Sequence, residues 1–114
     1  MHDMWFAGKI IVCLRDKLNS VAAAPKHIAI NTALSPFTHV TEESLRAAFR
    51  MLIEKEDFKN VTLNIKKNKA VIKCKRCGAA ASISKPIFAC PECQSADFDI
   101  NKGEEFSIES IEID

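Results

Sequence analysis

Two Cys-x-x-Cys pairs constrain the fold of this chain more than any other feature of its sequence. The first pair is Cys74 and Cys77, and twelve residues separate it from the second pair, Cys90 and Cys93. Pairs at this separation can place four thiolates at the corners of a tetrahedron, the geometry in which sulfur binds Zn²⁺. Four protein ligands leave no open position for water or substrate, so the predicted zinc site is structural rather than catalytic.

Two other interpretations of the four cysteines stay open at the level of the sequence. A rubredoxin-like iron site uses similar pairs, because thiolates suit iron as well as zinc. Two disulfides would require an oxidising compartment, whereas the N-terminus lacks the pattern of a secretory signal. We therefore expect a cytoplasmic protein with reduced, metal-bound cysteines.

Each Cys-x-x-Cys pair is predicted to lie in a tight turn whose backbone N–H groups point at the sulfurs. Gly78 suits the turn after the first pair, because glycine tolerates a positive φ. Gln94 stands at the corresponding position after the second pair, where glycine would be easier to accommodate. The second turn therefore departs slightly from the pattern of the first.

The composition is that of a globular protein with one ordinary core, or with a small core beside a metal-stabilised lobe. The chain has 114 residues, of which 47% are hydrophobic and 27% charged. Its net charge of +1 gives no bulk attraction to nucleic acid or to a membrane surface, and no apolar stretch approaches the roughly 20 residues of a membrane span. The fifth cysteine, Cys13, lies in an apolar segment and is predicted to be a small core residue.

Charge is unevenly distributed around the cysteines. Residues 66–76 hold six cations and no acid, whereas residues 92–114 hold eight acids and one lysine. The cations can offset the formal charge of −2 on a zinc tetrathiolate, or they can form a nucleic-acid-binding patch. The second interpretation lacks the interleaved aromatic side chains on which bases stack. A zinc-ribbon module that binds nucleic acid or another protein is nevertheless kept as the alternative function.

The apolar periodicity predicts an α+β fold, in which two helices pack on a small mixed β-sheet and a zinc-ribbon-like lobe is inserted before the final strand. Residues 1–69 with 101–114 are predicted to form an α/β domain, and residues 70–100 the zinc-binding domain. Thr41 is the predicted N-cap of the second helix. In chain order, the predicted elements are helix 4–19, strand 27–33, a helix after Thr41, strand 61–66, an extended segment 70–73, strand 98–100 and strand 104–113.

His2 is a second candidate metal ligand. If Met1 carries a free amine, the chain offers an amine, a backbone amide and an imidazole within two residues. Ni²⁺ and Cu²⁺ favour nitrogen donors in a square-planar or tetragonal arrangement, and Asp3 could add an oxygen. On these atoms alone the signal is weak, because a histidine at position 2 is more often a solvated terminal residue.

Taken together, the motifs resemble the HypA/HybF family of nickel-incorporation metallochaperones for [NiFe]-hydrogenase and, in some organisms, urease. The resemblance is carried by the opening Met1-His2-Asp3, the paired cysteine motifs and the closing stretch 103–108 with Ile111-Glu112. It implies transported Ni²⁺ at Met1, His2 and Asp3, bound by the amine, the His2 side chain and adjacent backbone amides. It also implies structural Zn²⁺ on four cysteines, which are Cys74, Cys77, Cys90 and Cys93.

The resemblance further implies a function in metal transfer rather than catalysis, and no nucleophile–base pair stands at a recognisable spacing. Its expected partners are a nickel-binding GTPase of hydrogenase maturation, the precursor of the [NiFe]-hydrogenase large subunit and, in some organisms, urease maturation proteins. Neither a membrane nor nucleic acid is expected as a partner. Two departures bear on the nickel site: Asp3 stands where the family usually has glutamate, and the loop before Thr41 contains His39, either a further ligand or simply an exposed histidine.

Overall fold

Two three-stranded sheets and two helices form the described part of the chain. The structure is a computed structural model that describes residues 2–20, 25–57, 60–101 and 103–114. It confirms the predicted α+β class, with two helices and small sheets, one of them mixed. The elements are α1 (His2–Asn19), β1 (Ile28–Leu34), α2 (Glu42–Ile53), β2 (Val61–Lys67), β3 (Ala70–Cys74), β4 (Ala80–Ile83), β5 (Phe98–Asn101) and β6 (Phe106–Ile113).

The first sheet has the order β2-β1-β6, with β1 in the centre. β1 pairs in parallel with β2, which follows it through α2, and antiparallel with the final strand β6. Helix α1 packs against α2 and β6, because its apolar residues recur on one side of the helix. The largest fully buried side chains of this first core are Phe6, Ile10, Leu14, Ile28, Ile30, Leu34 and Leu45.

The inward-facing residues of strand β6 change parity halfway along the strand. The pairing with β1 shifts between Asn31 and Thr32, so that Asn31 is opposite Ser110 while Thr32 is opposite Ile108. Glu109 is therefore an extra residue in the strand, the arrangement of a β-bulge. The bulge lets apolar residues before and after it pack against the same core, although their spacing differs in parity.

The second sheet has the order β4-β3-β5 and is antiparallel throughout. Its core is small: among the described residues, the buried cluster consists of Ala70, Ile72 and Ile83. Phe37 also packs against this cluster, although it belongs to the loop of residues 35–40 between β1 and α2. So small an apolar core favours a fold that depends on a bound metal for its stability.

Helix α2 begins with the predicted N-cap. Thr41 Oγ1 accepts a hydrogen bond from the Ser44 N–H at 3.0 Å, and Ser44 Oγ accepts one from the Thr41 N–H at 3.0 Å. This reciprocal capping box satisfies donors that the first turn of a helix leaves without an intrahelical acceptor.

Helix α1 departs from the sequence prediction in two places. It begins at His2 rather than at residue 4, and the Asp3 carboxylate accepts a hydrogen bond from the Met4 N–H at 2.8 Å. Cys13 is exposed rather than buried. The reason is helical phase: at 3.6 residues per turn, position 13 lies about 90° from the centre of the buried stripe. None of the described helices is long and apolar enough to cross a membrane.

Replacing Leu14 with alanine should lower the free energy of unfolding by about 2–5 kcal/mol, because it leaves a cavity in the first core. Leu14 is fully buried, whereas Val12 on the same helix is 55% exposed. The matched variant Val12→Ala should therefore change stability by less than about 0.5 kcal/mol. Urea denaturation followed by circular dichroism measures both, and equal losses would contradict the packing of α1 described above.

Candidate metal centre

Two similar turns bring the four cysteines together at one end of the second sheet. Cys74 is the last residue of β3, and its N–H bonds to the Ala79 carbonyl at 2.9 Å across the first turn. In the second turn, the Cys90 N–H bonds to the Ser95 carbonyl at 2.7 Å. Cys77 and Cys93 lie within these turns and are exposed, while Cys74 and Cys90 are buried. Each turn therefore contributes one buried and one exposed cysteine to the cluster.

The four sulfur atoms have the separations that a tetrahedral metal site requires. Sγ of Cys74 lies 3.5 Å from Sγ of Cys93, and Sγ of Cys77 lies 3.8 Å from Sγ of Cys90. All four sulfurs lie within 4.8 Å of one another. A regular tetrahedron with metal–sulfur distances of about 2.3 Å has sulfur–sulfur edges of about 3.8 Å. The donor set therefore fits a divalent ion.

The same distances exclude the disulfide interpretation. Disulfide sulfurs lie about 2.05 Å apart, and all five cysteines are free in the structure. The geometry fits zinc and iron alike, because both accept four thiolates.

Backbone N–H groups stabilise the buried sulfur of each turn. The N–H groups of Arg76 and Cys77 each lie 3.4 Å from Cys74 Sγ. In the second turn the Glu92 N–H lies 3.4 Å from Cys90 Sγ. These donors favour the thiolate form, which is the form that binds a metal.

The pKa values of the thiols show how the cluster shares protons before a metal binds. The N–H of Cys77, followed by that of Arg76, outweighs burial and lowers the pKa of the Cys74 thiol to about 6. Although the Ala79 N–H favours the Cys77 thiolate, partial desolvation of the Cys77 sulfur and the neighbouring sulfurs outweigh it and raise the pKa of Cys77 to about 12. The Ser95 N–H acts likewise on Cys93, but the Cys74 sulfur and burial raise the pKa of Cys93. Adjacent sulfurs therefore keep protons until a cation replaces them.

The residues that close the two turns adopt the same unusual backbone conformation. Gly78 has a φ of +76° and Gln94 a φ of +68°. Their N–H groups bond to the carbonyls of Cys74 and Cys90, at 3.1 and 2.9 Å. The left-handed conformation costs a residue with a side chain roughly 1–2 kcal/mol, so the second turn is strained where the first is not.

Some of the lysines in residues 66–76 form ion pairs with acids in residues 92–114. Lys75 Nζ lies 3.5 Å from an Asp99 carboxylate oxygen and 3.9 Å from one of Asp97, and Lys66 Nζ lies 3.0 Å from one of Glu109. Such exposed pairs add little stability. They do bring acids next to these lysines, however, which disfavours a continuous phosphate-binding surface.

The predicted nickel ligands lie at a separate cleft, where the start of α1 meets the 35–40 loop. His2 and Asp3 line this cleft of about 210 Å³ together with His39; Val40, Thr41 and Ser44 complete it. The His2 ring is exposed and stacks near Phe6, with centroids 6.2 Å apart. Met1 lies outside the described residues. Among the described residues, ligand atoms converge at metal distance in the cysteine cluster and not in this cleft.

The cleft shows what the sequence could not supply. His2 and His39 are separated by more than thirty residues, and no local pattern connects them. Both residues line the cleft because α1 covers the first sheet, and the loop between β1 and α2 passes next to the first turn of α1.

Comparison with known sequences supports a common family. The family described as "Hydrogenase/urease nickel incorporation, metallochaperone, hypA" matches residues 1–113. A hydrogenase maturation factor HypA from Chlorobium limicola is 31% identical over 114 residues, covering 100% of this chain and 97% of that protein. One from Desulfatibacillum aliphaticivorans is 29% identical over 113 residues, covering 99% of this chain and 87% of the other.

Solved structures show the same fold. The solution structure of the Ni metallochaperone HypA from Helicobacter pylori aligns with a TM-score of 0.56 at 20% identity, covering 97% of this chain and 96% of that one. A second solution structure, of HypA protein, aligns with a TM-score of 0.60 at 19% identity, covering 95% and 91%. At these identities the comparison concerns the arrangement of the backbone.

Substitutions at the two turn-closing residues, Gly78 and Gln94, should change the stability of the second sheet in opposite directions. Gly78→Ala should destabilise the second sheet by about 1 kcal/mol, because a Cβ meets no atom within 4 Å and the cost is purely conformational. Gln94→Gly should stabilise it by roughly 0.5 kcal/mol, since relief of strain exceeds the added entropy of the unfolded chain. Amide hydrogen exchange of β3 and β5 in zinc-loaded protein measures both, and destabilisation by both changes would contradict the strain at Gln94.

Metal binding to the cysteines should release at least two protons at pH 7, because the raised pKa values of Cys77 and Cys93 keep both thiols protonated in the metal-free protein. Affinity should therefore fall as the pH falls, and the dependence should steepen below about pH 6, where Cys74 also becomes protonated. Calorimetric Zn²⁺ titrations in buffers of different ionisation enthalpy count the protons. Release of fewer than two would mean that the sulfurs ionise without a metal.

Proposed function

The chain belongs to the HypA family of nickel-incorporation metallochaperones, and on this premise we propose that it binds Ni²⁺ at its N-terminus and delivers it to a nickel enzyme during maturation. The nickel ligands are the amine of Met1, the His2 imidazole and the backbone amides of His2 and Asp3. The enzyme served is a [NiFe]-hydrogenase or, in some organisms, urease. The observation that carries the proposal is the family match over residues 1–113, which includes both metal-binding segments.

The start of α1 is suited to an amide-based chelate. The first four N–H groups of an α-helix have no intrahelical acceptor, and α1 begins at His2. The amide nitrogens of His2 and Asp3 can therefore lose their protons to a metal without breaking a helical hydrogen bond. Their negative charges offset the dication, and the neutral imidazole of His2 completes a nitrogen-rich set of the kind that Ni²⁺ favours.

Exposure of this site supports transfer rather than storage. His2 lies on the surface at the end of a helix, so an acceptor can approach and replace the ligands one at a time. A four-coordinate cage within a core would offer no such path. The chain thus acts by holding and handing over its metal, and it has no need of catalytic groups.

The four cysteines hold a structural Zn²⁺ in this proposal. Their sulfur separations match a tetrahedron of thiolates, and the closed set leaves no position for a substrate. The reducing cytoplasm proposed for the protein keeps the thiols available. Residues 70–100 then form the zinc-binding domain, and residues 1–69 with 101–114 form the nickel-binding α/β domain. The separate buried clusters of the two sheets support this division.

The proposed partners are a nickel-binding GTPase and the precursor of the hydrogenase large subunit, with urease maturation proteins in some organisms. An apolar groove of about 750 Å³ between α1 and β6 supports a docking surface next to the nickel site. Met4, Trp5 and Val12 line it and are exposed by 37%, 57% and 55%. Exposed aromatic and apolar side chains of this kind are typical anchors of protein–protein contacts.

A Ni²⁺ titration of tag-free, zinc-loaded protein tests the nickel site. The wild-type chain should bind one equivalent, whereas His2→Ala should lose the tight site because the imidazole nitrogen is gone. A variant with one residue added before Met1 should lose it too, since the amine is displaced from His2. Calorimetry and absorption spectroscopy measure binding, with zinc content as the control for an intact fold. Equal binding by all three proteins would place nickel elsewhere and contradict the proposed function.

A further inference from the structure

We propose that the open edge of β6 binds an extended segment of a partner protein as a fourth strand of the first sheet, and that this segment alternates apolar with basic side chains. The inference rests on the docking role proposed above for the groove between α1 and β6, and it adds the conformation and the chemistry of the docked segment. Three features of the described residues carry it, which are the unpaired edge, the course of the groove and the distribution of charge.

Strand β6 has one row of backbone groups without a partner strand in the described part of the chain. It stands at the end of the order β2-β1-β6 and pairs there with β1. The Ser35 N–H bonds to the Glu105 carbonyl at 3.0 Å, so the backbone of Glu105 faces β1. Since alternate residues of an antiparallel pair direct their N–H and C=O groups to opposite sides, those of Phe106 and Ile108 point to the open side. Such a row is a template for an added strand.

The groove beside this edge can accept every second side chain of an added strand. One cleft of about 750 Å³ lies between the first half of α1 and residues 104–108, and a second cleft of about 480 Å³ continues it along the rest of α1. Both clefts include Cys13 and Ile108, so they form one groove. An added strand directs alternate side chains to the same side, and on the groove side these would cover the exposed side chains of Trp5 and Val12.

The charged side chains that line the groove balance one another. Lys9 and Lys17 are its cations, and Asp16 and Glu104 are its acids. With two charges of each sign, the groove favours neither an acidic nor a basic side chain. Its large exposed apolar side chains instead favour apolar ones.

The other side of the same edge is acidic. Residues 103–114 hold five acids and no cation, and among the described residues Glu109 is the one of the five that forms an ion pair, with Lys66 at 3.0 Å. Glu112 accepts a hydrogen bond from Asn31 Nδ2 at 3.4 Å on the sheet face away from the helices. Opposite charges directly across from one another stabilise paired strands. The side chains of the added strand that point to this face are therefore lysines or arginines.

The same acids disfavour a second copy of this chain as the occupant. Two antiparallel β6 strands would bring the acids of one copy next to those of the other, and like charges opposite each other destabilise a sheet. The bulge at Glu109 divides the edge, and the regular stretch before it, residues 106–108, adjoins the larger cleft. A basic segment of another protein is the occupant that the charge of this edge favours.

The experiment titrates the full-length, zinc-loaded protein with an end-blocked peptide of about nine residues in which valine and lysine alternate, a length that matches the eight residues of β6. Amide hydrogen exchange measured by nuclear magnetic resonance follows the edge, and calorimetry measures affinity. The peptide should slow exchange of the Phe106 and Ile108 N–H groups, and its affinity should fall as the salt concentration rises.

Two control peptides test the pattern and the charge. A peptide with glutamate in place of lysine should bind at least about tenfold more weakly, because its charge repels the acidic edge. A peptide of the same composition, with the valines and lysines in two separate blocks, should leave the exchange of the Phe106 and Ile108 N–H groups unchanged.

Two variants test whether the peptide binds along the groove. Val12→Asp places a charge in the groove and should weaken binding of the alternating peptide at least about tenfold. Met51→Asp is the matched control, because Met51 lies on α2 outside the groove and is similarly exposed, so it should leave binding unchanged. Circular dichroism and zinc content show that both variants are folded.

Three results would overturn the inference. The first is equal binding by all three peptides, and the second is equal weakening by the two variants. The third is self-association of the protein alone with slowed exchange at Phe106 and Ile108, which would make a second copy the occupant. Nickel takes no part in these measurements. A chain that fails them but loses its nickel site on His2→Ala therefore keeps the proposed nickel function, whereas the reverse result removes that function and leaves the strand addition standing.

Discussion

The second sheet depends on one interaction, the binding of a cation by four cysteine sulfurs that lie within 4.8 Å of one another. Only three buried apolar side chains, those of Ala70, Ile72 and Ile83, form the cluster of this sheet among the described residues. Without a metal, adjacent sulfurs retain protons, as the raised pKa of Cys77 shows. A bound cation replaces weak sulfur contacts by four metal–sulfur bonds, and so contributes the stability that the apolar core does not provide.

This dependence extends beyond the cysteines through the 35–40 loop. Phe37 gives the small core a side chain from a segment that otherwise belongs to the first sheet. The loop is also tied to the chain just before β6, since the Ser35 N–H bonds to the Glu105 carbonyl at 3.0 Å. The 35–40 loop therefore contacts both the second sheet and the chain beside the first sheet. Changes in the packing of the second sheet can thus alter the positions of loop side chains next to the first sheet.

The features that the sequence predicted are those that depend on local spacing. The cysteine pairs form similar turns because each turn is determined by four or five consecutive residues, and the helices follow from apolar residues at helical spacing. The β-bulge at Glu109 likewise follows from the local sequence, since the apolar residues of β6 change parity there.

The features that the sequence did not predict depend on distant contacts. Strand β4 consists of Ala80–Ile83, whose small residues carry no strong strand signal, and it exists because it pairs with β3. The exposure of Cys13 depends on which side of α1 faces the sheet. The meeting of His2 and His39 requires the whole first sheet to be assembled.

The position of one aromatic side chain gives the molecule a built-in optical reporter. The chain contains a single tryptophan and no tyrosine, so any fluorescence excited selectively at the indole ring comes from Trp5 alone. Trp5 lies in the first turn of α1, with its ring centroid 5.6 Å from that of Phe6 and Lys9 Nζ 3.9 Å from its own centroid. Its emission therefore reports on the start of α1 specifically, and events in the distant cysteine lobe are visible in it only when they are transmitted through the fold.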